Sequence, residues 1–397
     1  MLNFNIHVPT RIRFGRGKIA DLGEEILNYG DKVLLVYGGG SIKRSGLYDQ
    51  VLQIFQDNGI DHVELSGVQP NPKISSVRQG AALCKEHDVQ LVLAVGGGST
   101  IDCAKIIAAG ARYDGDAWDF FTCKARISDA LPVGTVLTLA ATGSEMNPNA
   151  VINNDDTEQK LGTGSPLLYP RFSILDPEYS FTVSPEQTAA GTVDIMSHIF
   201  EQYFSPTPGT LVQNRLAEAM LKTCIHYGPI ALAQPDNYEA RANLMWTSSL
   251  ALNGILGAGK RTDWATHDIE HEISALYDVT HGLGLAILIP YWMHYVLDEQ
   301  TAPRLAEYAR NVWEIDESED IAAARAGIRK TAEFFKSMNL AGSLSEIGVE
   351  AERLAEMAEK ATSQGPLGAF RKLEYQDVLN ILQAAYDGNI FDALKNA

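Results

Sequence analysis

The feature that most narrows the fold is a short apolar run, Leu91-Val92-Leu93-Ala94-Val95, that ends directly in Gly96-Gly97-Gly98-Ser99-Thr100. Every position of the run is aliphatic, so it has no side to turn to water. A strand of that kind is covered by helices on both faces, as in a parallel sheet. The glycines that follow allow a tight turn into a helix, whose free backbone N–H groups favour an anionic ligand.

The surrounding sequence repeats this alternation. Lys32 to Tyr37, His62 to Leu65 and Val133 to Leu137 read as strands, with an amphipathic helical stretch through Leu47, Val51, Leu52 and Phe55 between the first two. After Asp176-Pro177 the pattern changes. Ser184-Pro185-Glu186 offers a capping serine, proline at the first helical position and an acidic first turn, so a long helix should begin there. Helical periodicity then continues through Asn214 to Cys224, Ala240 to Leu252, Pro303 to Val312 and Ile321 to Met338. The expectation is an α/β domain with a parallel Rossmann-like sheet over residues 1–178 and an all-α domain over 179–397, two domains being normal for this length.

A net charge of -18 argues against nucleic acid or an anionic membrane as partner. Cys84, Cys103, Cys123 and Cys224 are scattered and form no CxxC pair, which suits reduced thiols. The N-terminus has no basic and apolar leader pattern, and no stretch approaches the roughly 18 apolar residues of a membrane span. A cytoplasmic protein is expected.

Three loops could hold a dinucleotide. Gly96 to Asp102 forms a plausible pyrophosphate cradle, although it is not G-x-G-x-x-G and a bare glycine turn is as often a plain connection. Tyr37-Gly38-Gly39-Gly40-Ser41 follows an earlier strand, where an acidic residue would bind the ribose 2′-hydroxyl of NAD. Glycines, Ser41, Lys43 and Arg44 stand there instead, which favours NADP(H) over NAD(H). Thr138 to Glu145 is rich in small hydroxyl residues suited to a ribose or nicotinamide, or simply to capping a helix.

Asp194 and His198 lie four residues apart and so share a helix face; His267 and His271 repeat the spacing, and His281 opens a further apolar stretch. One such pair is usually a surface or capping interaction. Two pairs and His281 together point to a metal, with one carboxylate and several imidazoles suiting Fe(II) or Zn(II) rather than calcium.

These residues, with Gly67-Val68-Gln69-Pro70-Asn71-Pro72, Asp102, Lys105 and Thr142-Gly143-Ser144-Glu145, resemble the iron-containing, or group III, alcohol dehydrogenase family over essentially the whole chain. The resemblance implies a dehydroquinate synthase-like architecture, a metal on Asp194, His198, His267 and His281, and His271 lining the substrate pocket, where it could relay a proton. It also implies coenzyme contacts from Gly38, Gly39, Ser41, Gly97, Gly98, Ser99, Asp102, Thr138, Thr142 and Lys160, and a homodimer built on the strand around Ile12-Arg13-Phe14-Gly15. The expected activity is interconversion of butanol-like primary alcohols and aldehydes with NADP(H). Alternatives are a glycerol dehydrogenase or a dehydroquinate synthase-like lyase of the same fold, and a metal- or nucleotide-binding protein without turnover. A metallohydrolase ranks last because H-E-x-x-H is absent.

Overall fold

The computed structural model describes residues 1–396. Two compact units emerge, one of His7–Ser184 with Gln234–Asn253, the other of Met1–Ile6, Pro185–Ala233 and the chain from Gly254 onward.

In the α/β unit the chain runs through β1 (Arg11–Phe14), α1 (Leu22–Leu27), β2 (Lys32–Tyr37), α2 (Ser41–Arg44), α3 (Leu47–Asn58), β3 (Asp61–Leu65), α4 (Ile74–Glu86), β4 (Leu91–Gly96) and α5 (Gly98–Gly110). It continues through β5 (Val133–Leu137), β6 (Asn149–Asn154), β7 (Gln159–Gly164) and β8 (Phe172–Leu175). The main sheet has the order β1-β8-β5-β4-β2-β3, with every pairing parallel. β6 and β7 form a separate antiparallel pair.

Alternate residues of each central strand enter opposite cores, as the two-residue period of a strand requires. Leu34, Val36, Val92 and Ala94 pack with Val77 of α4 and with Ile101, Ala104 and Ala108 of α5. Val33, Leu35, Leu93 and Val95 pack with Leu22 and Ile26 of α1 and with Val51 and Phe55 of α3. The expected sheet covered on both faces is therefore present, with β2, β4 and β5 starting and ending within a residue of the strands read from sequence.

The helical unit begins with α6 (Pro185–Tyr203), from which every residue between Thr188 and Tyr203 is buried, and α7 (Leu211–Ala233). The next helix, α8 (Tyr238–Ala251), groups with the α/β unit, so the compact division does not follow a single cut in the sequence. α9 (Ala265–Tyr277), α10 (His281–Val296), α11 (Ala302–Trp313), α12 (Asp320–Ser337), α13 (Leu354–Ala361), α14 (Tyr375–Asp387) and α15 (Ile390–Asn396) complete the helical unit. Among the described residues no helix is long and apolar enough to cross a membrane.

Glu272 on α9 carries a cost that can be measured. Burial pushes its carboxyl up to about 7, with Asp268 and Glu356 adding to burial and Lys360 opposing it. An unfolded glutamate ionises near 4.5, so between these values the folded state binds more protons and stability falls as pH rises. Glu272→Gln should raise Tm by about 1–3 °C at pH 8, reflecting about 1–2 kcal/mol, and leave it unchanged near pH 4.5. Thermal melts at the two pH values check this.

Candidate functional site

In the α/β unit, β2 leads outward to β3, after which the chain returns to the other side of β2 to form β4. The strand order reverses there, and crevices at the carboxyl ends of strands flanking such a reversal are where open α/β sheets bind ligands. Both glycine loops sit at this place. Gly38 and Gly39 follow β2, with Ser41 opening α2, while Gly97 caps α5 and Gly98 and Ser99 form its first turn. The hydroxyl loop after β5 joins them, since Thr138 N donates to Gly96 O at 3.0 Å. A β-carbon on Gly98 would overlap the Thr142 hydroxyl, so only glycine lets the loop lie on the start of α5.

Asp102 faces inward, accepting from Ser144 Oγ at 2.5 Å and from Val151 N at 2.9 Å. Lys160 is buried on β7. A carboxylate does reach the corner behind β2, from a neighbouring strand: Glu64 of β3 accepts from the hydroxyls of Tyr37 and Tyr48, each at 2.7 Å. The Lys43 ammonium lies 5.1 Å and 4.3 Å from the centres of those two rings. Lys43 is thus engaged with the tyrosines, whereas the Arg44 guanidinium lies 3.9 Å from where a β-carbon on Gly40 would stand.

In the helical unit three segments bring the acid and imidazole side chains together. Asp194 and His198 stand one turn apart on α6, with His198 Nδ1 4.0 Å from Asp194 Oδ1. His267 lies in the first turn of α9 and His281 is the first residue of α10. Asp194, His267 and His281 each offer a ligand atom within 4.8 Å of the others, and His281 Nε2 is 3.8 Å from Asp194 Oδ1. The His198 and His267 ring centres are 4.9 Å apart. This approach depends on Gly282, where any β-carbon would overlap the Ala190 carbonyl of α6.

Two residues not singled out from the sequence complete the cluster. Glu201, one turn beyond His198, accepts from His267 Nδ1 at 2.8 Å, His267 N at 3.2 Å, Thr266 Oγ1 at 2.5 Å and, through its other oxygen, Trp264 N at 2.7 Å. Glu270, fully buried, binds His281 Nδ1 and the Ser274 hydroxyl. Each carboxylate thereby fixes the ring of a histidine from the next segment and turns its Nε2 inward. The signal was present as His198-x-x-Glu201 and His267-x-x-Glu270, a one-turn spacing.

The donor set fits a divalent cation. His267 Nε2 and His198 Nδ1 are buried without a hydrogen-bond partner, a costly state that a ligated ion relieves. Burial holds His198 well below the usual histidine range, and the neighbouring His267 and His281 lower it further, leaving a neutral imidazole with one nitrogen lone pair to give. Burial also works against charge on His267, yet the Glu201 hydrogen bond and charge, with Asp194 and Glu270, raise it overall. The Glu201, Asp194 and Glu270 carboxylates thus favour positive charge on His267. His271 is half-buried, groups with Glu270 and His281, and has its ring centre 5.7 Å from that of His281. All four cysteines are free thiols.

Comparison with known proteins places both parts of the chain in one family. Residues 9–177 match the family model described as iron-containing alcohol dehydrogenase, and residues 188–386 match that of the Fe-containing alcohol dehydrogenase family, C-terminal. The chain is 52% identical to NADH-dependent butanol dehydrogenase A of Clostridium acetobutylicum, over 97% of this chain and 100% of that one. It is 42% identical to the NADPH-dependent aldehyde reductase YqhD of Escherichia coli, over 92% and 94% of the two chains. The crystal structure of NADH-dependent butanol dehydrogenase A from Thermotoga maritima superposes with a TM-score of 0.94 at 42% identity, covering 97% of this chain and 99% of that one. The chain belongs to the iron-containing alcohol dehydrogenase family.

Proposed function

We propose that this protein is an oxidoreductase that interconverts primary alcohols and aldehydes of about butanol size, using NADP(H) and one divalent metal, Fe(II) or Zn(II). The observation that carries the reading is the convergence of Asp194, His267 and His281, with His198 beside them, in a buried pocket that leaves imidazole nitrogens without partners. Lewis acidity toward the substrate oxygen is what a divalent ion supplies there, and hydride donation or acceptance is what the nicotinamide supplies.

The chain's own residues do the rest. Asp194, His198, His267 and His281 hold the ion, and Glu201 and Glu270 orient His267 and His281 toward it. His271, next to His281, exchanges the proton that the alcohol loses or the aldehyde gains. Gly38, Gly39, Gly97, Gly98 and Ser99 present backbone N–H groups to the pyrophosphate, and Ser41, Asp102, Thr138, Thr142 and Lys160 position the remainder of the coenzyme. Arg44, beside Gly40, supports the 2′-phosphate. β1 at the edge of the sheet supports pairing with a second copy, and the composition supports a cytoplasmic setting.

The test is NADPH consumption with butanal by metal-loaded protein, repeated with NADH and after chelation. Expected are a kcat/KM for NADPH at least about tenfold above that for NADH, as one charge-assisted contact to phosphate provides, and loss of turnover on verified metal removal. NADH ahead of NADPH would transfer the preference to that in the names of the butanol dehydrogenase relatives. Unchanged turnover without metal would return the histidines to a structural role.

Glu270→Gln should weaken metal retention by about tenfold or more, read by competition with a chromophoric chelator, with the helical circular dichroism retained. His271→Ala should lower kcat by about 10²-fold or more and flatten its pH profile; full turnover across pH would remove the proton role.

A further inference from the structure

Lys105 lies on α5, two turns beyond the glycine start of that helix, and is completely buried. Its ammonium donates to three acceptors from one segment: Ser144 Oγ at 2.7 Å, Asn147 Oδ1 at 3.1 Å and Asn149 O at 2.7 Å. All three ammonium protons are therefore used. Ser144 Oγ in turn donates to Asp102 Oδ1, one turn earlier on α5, at 2.5 Å. The second Asp102 oxygen accepts from Val151 N in β6.

These bonds staple the segment after β5 to α5. Ser144 N donates to Thr142 Oγ1 at 3.2 Å, so the brace reaches the threonine that rests on Gly98. Gly143, at φ +62°, lies where a β-carbon would stand 2.6 Å from Ser248 O, leaving the turn little room to move on its other side. A buried ammonium is costly unless paired and hydrogen-bonded. Burial pushes Lys105 down to about 8, with Asp102 and Glu145 acting to keep the charge.

We propose that Lys105 is a positioning residue whose three hydrogen bonds fix the 138–149 segment against the start of α5, and that it sets coenzyme affinity without touching the coenzyme. The inference rests on reading these loops as coenzyme contacts. Asp102 belongs to the same brace, its carboxylate holding Ser144 in line with the lysine.

The experiment titrates the full-length, metal-loaded protein with NADPH, and separately with NADH, reading nicotinamide fluorescence, for wild type, Lys105→Met, Ser144→Ala and Ser144→Thr. Losing a charge-assisted buried hydrogen bond should raise Kd by roughly tenfold in Lys105→Met and in Ser144→Ala. Ser144→Thr, which keeps the hydroxyl, should recover most of the loss. In steady-state assays the loss should fall on KM for the coenzyme, with kcat at saturating coenzyme the smaller effect. Should Lys105→Met not fold, the Ser144→Ala and Ser144→Thr pair decides. Folded variants with the wild-type Kd, or equal losses in both Ser144 variants, would overturn the proposal. A wild-type protein that binds neither coenzyme would remove the coenzyme reading and the brace's purpose with it, before any variant is compared.

Discussion

The helical unit depends on one buried carboxylate. Glu201 is 1% exposed and collects hydrogen bonds from Trp264 N, Thr266 Oγ1, His267 N and His267 Nδ1. A carboxylate away from water is tolerable only when donors surround it, and here those donors are the start of α9. The bond thus ties α6 to α9, places His267 opposite Asp194, and holds Trp264 at φ +74°, a conformation that side chains rarely adopt. Without it, the first turn of α9 would lose both its cap and its direction.

The same principle operates at the second carboxylate. Glu270 reaches from α9 to His281 at the start of α10, and Gly284, where a β-carbon would stand 2.8 Å from Glu270 Cγ, leaves space for it. Three helices are thereby linked in sequence, α6 to α9 by Glu201 and α9 to α10 by Glu270. Three buried carboxylates, Asp194, Glu201 and Glu270, surround three imidazoles. The carboxylates that link the helices thus stand among the residues proposed to hold a divalent cation.

In the α/β unit the governing constraint is the parallel sheet itself. Parallel strands need crossover helices, and covering both faces of β2 and β4 leaves their carboxyl ends as the place where backbone N–H groups stay free for a ligand. Polar groups below that rim are consumed internally, as Lys105, Asp102, Ser144 and Asn147 illustrate. Within the 138–147 loop, residues proposed to contact the coenzyme therefore stand beside groups already used by the fold.

Sequence alone determined the strands β2, β4 and β5 and the start of α6, because hydrophobic period and capping residues are local signals. It also determined which acid and imidazole residues could share a helix face, since four-residue spacing is a property of one helix. The tertiary structure decided what depends on separate segments meeting: that α8 groups with the α/β unit, that Glu64 rather than a loop residue brings a carboxylate behind β2, and that Lys43 is engaged with Tyr37 and Tyr48. Glu201 and Glu270, each one turn beyond a histidine in sequence, gain their partners only where the fold sets them against His267 and His281. The reason is physical: helix period and capping act within a few residues of chain, whereas a hydrogen bond between residues 201 and 267 exists only once packing has closed the distance.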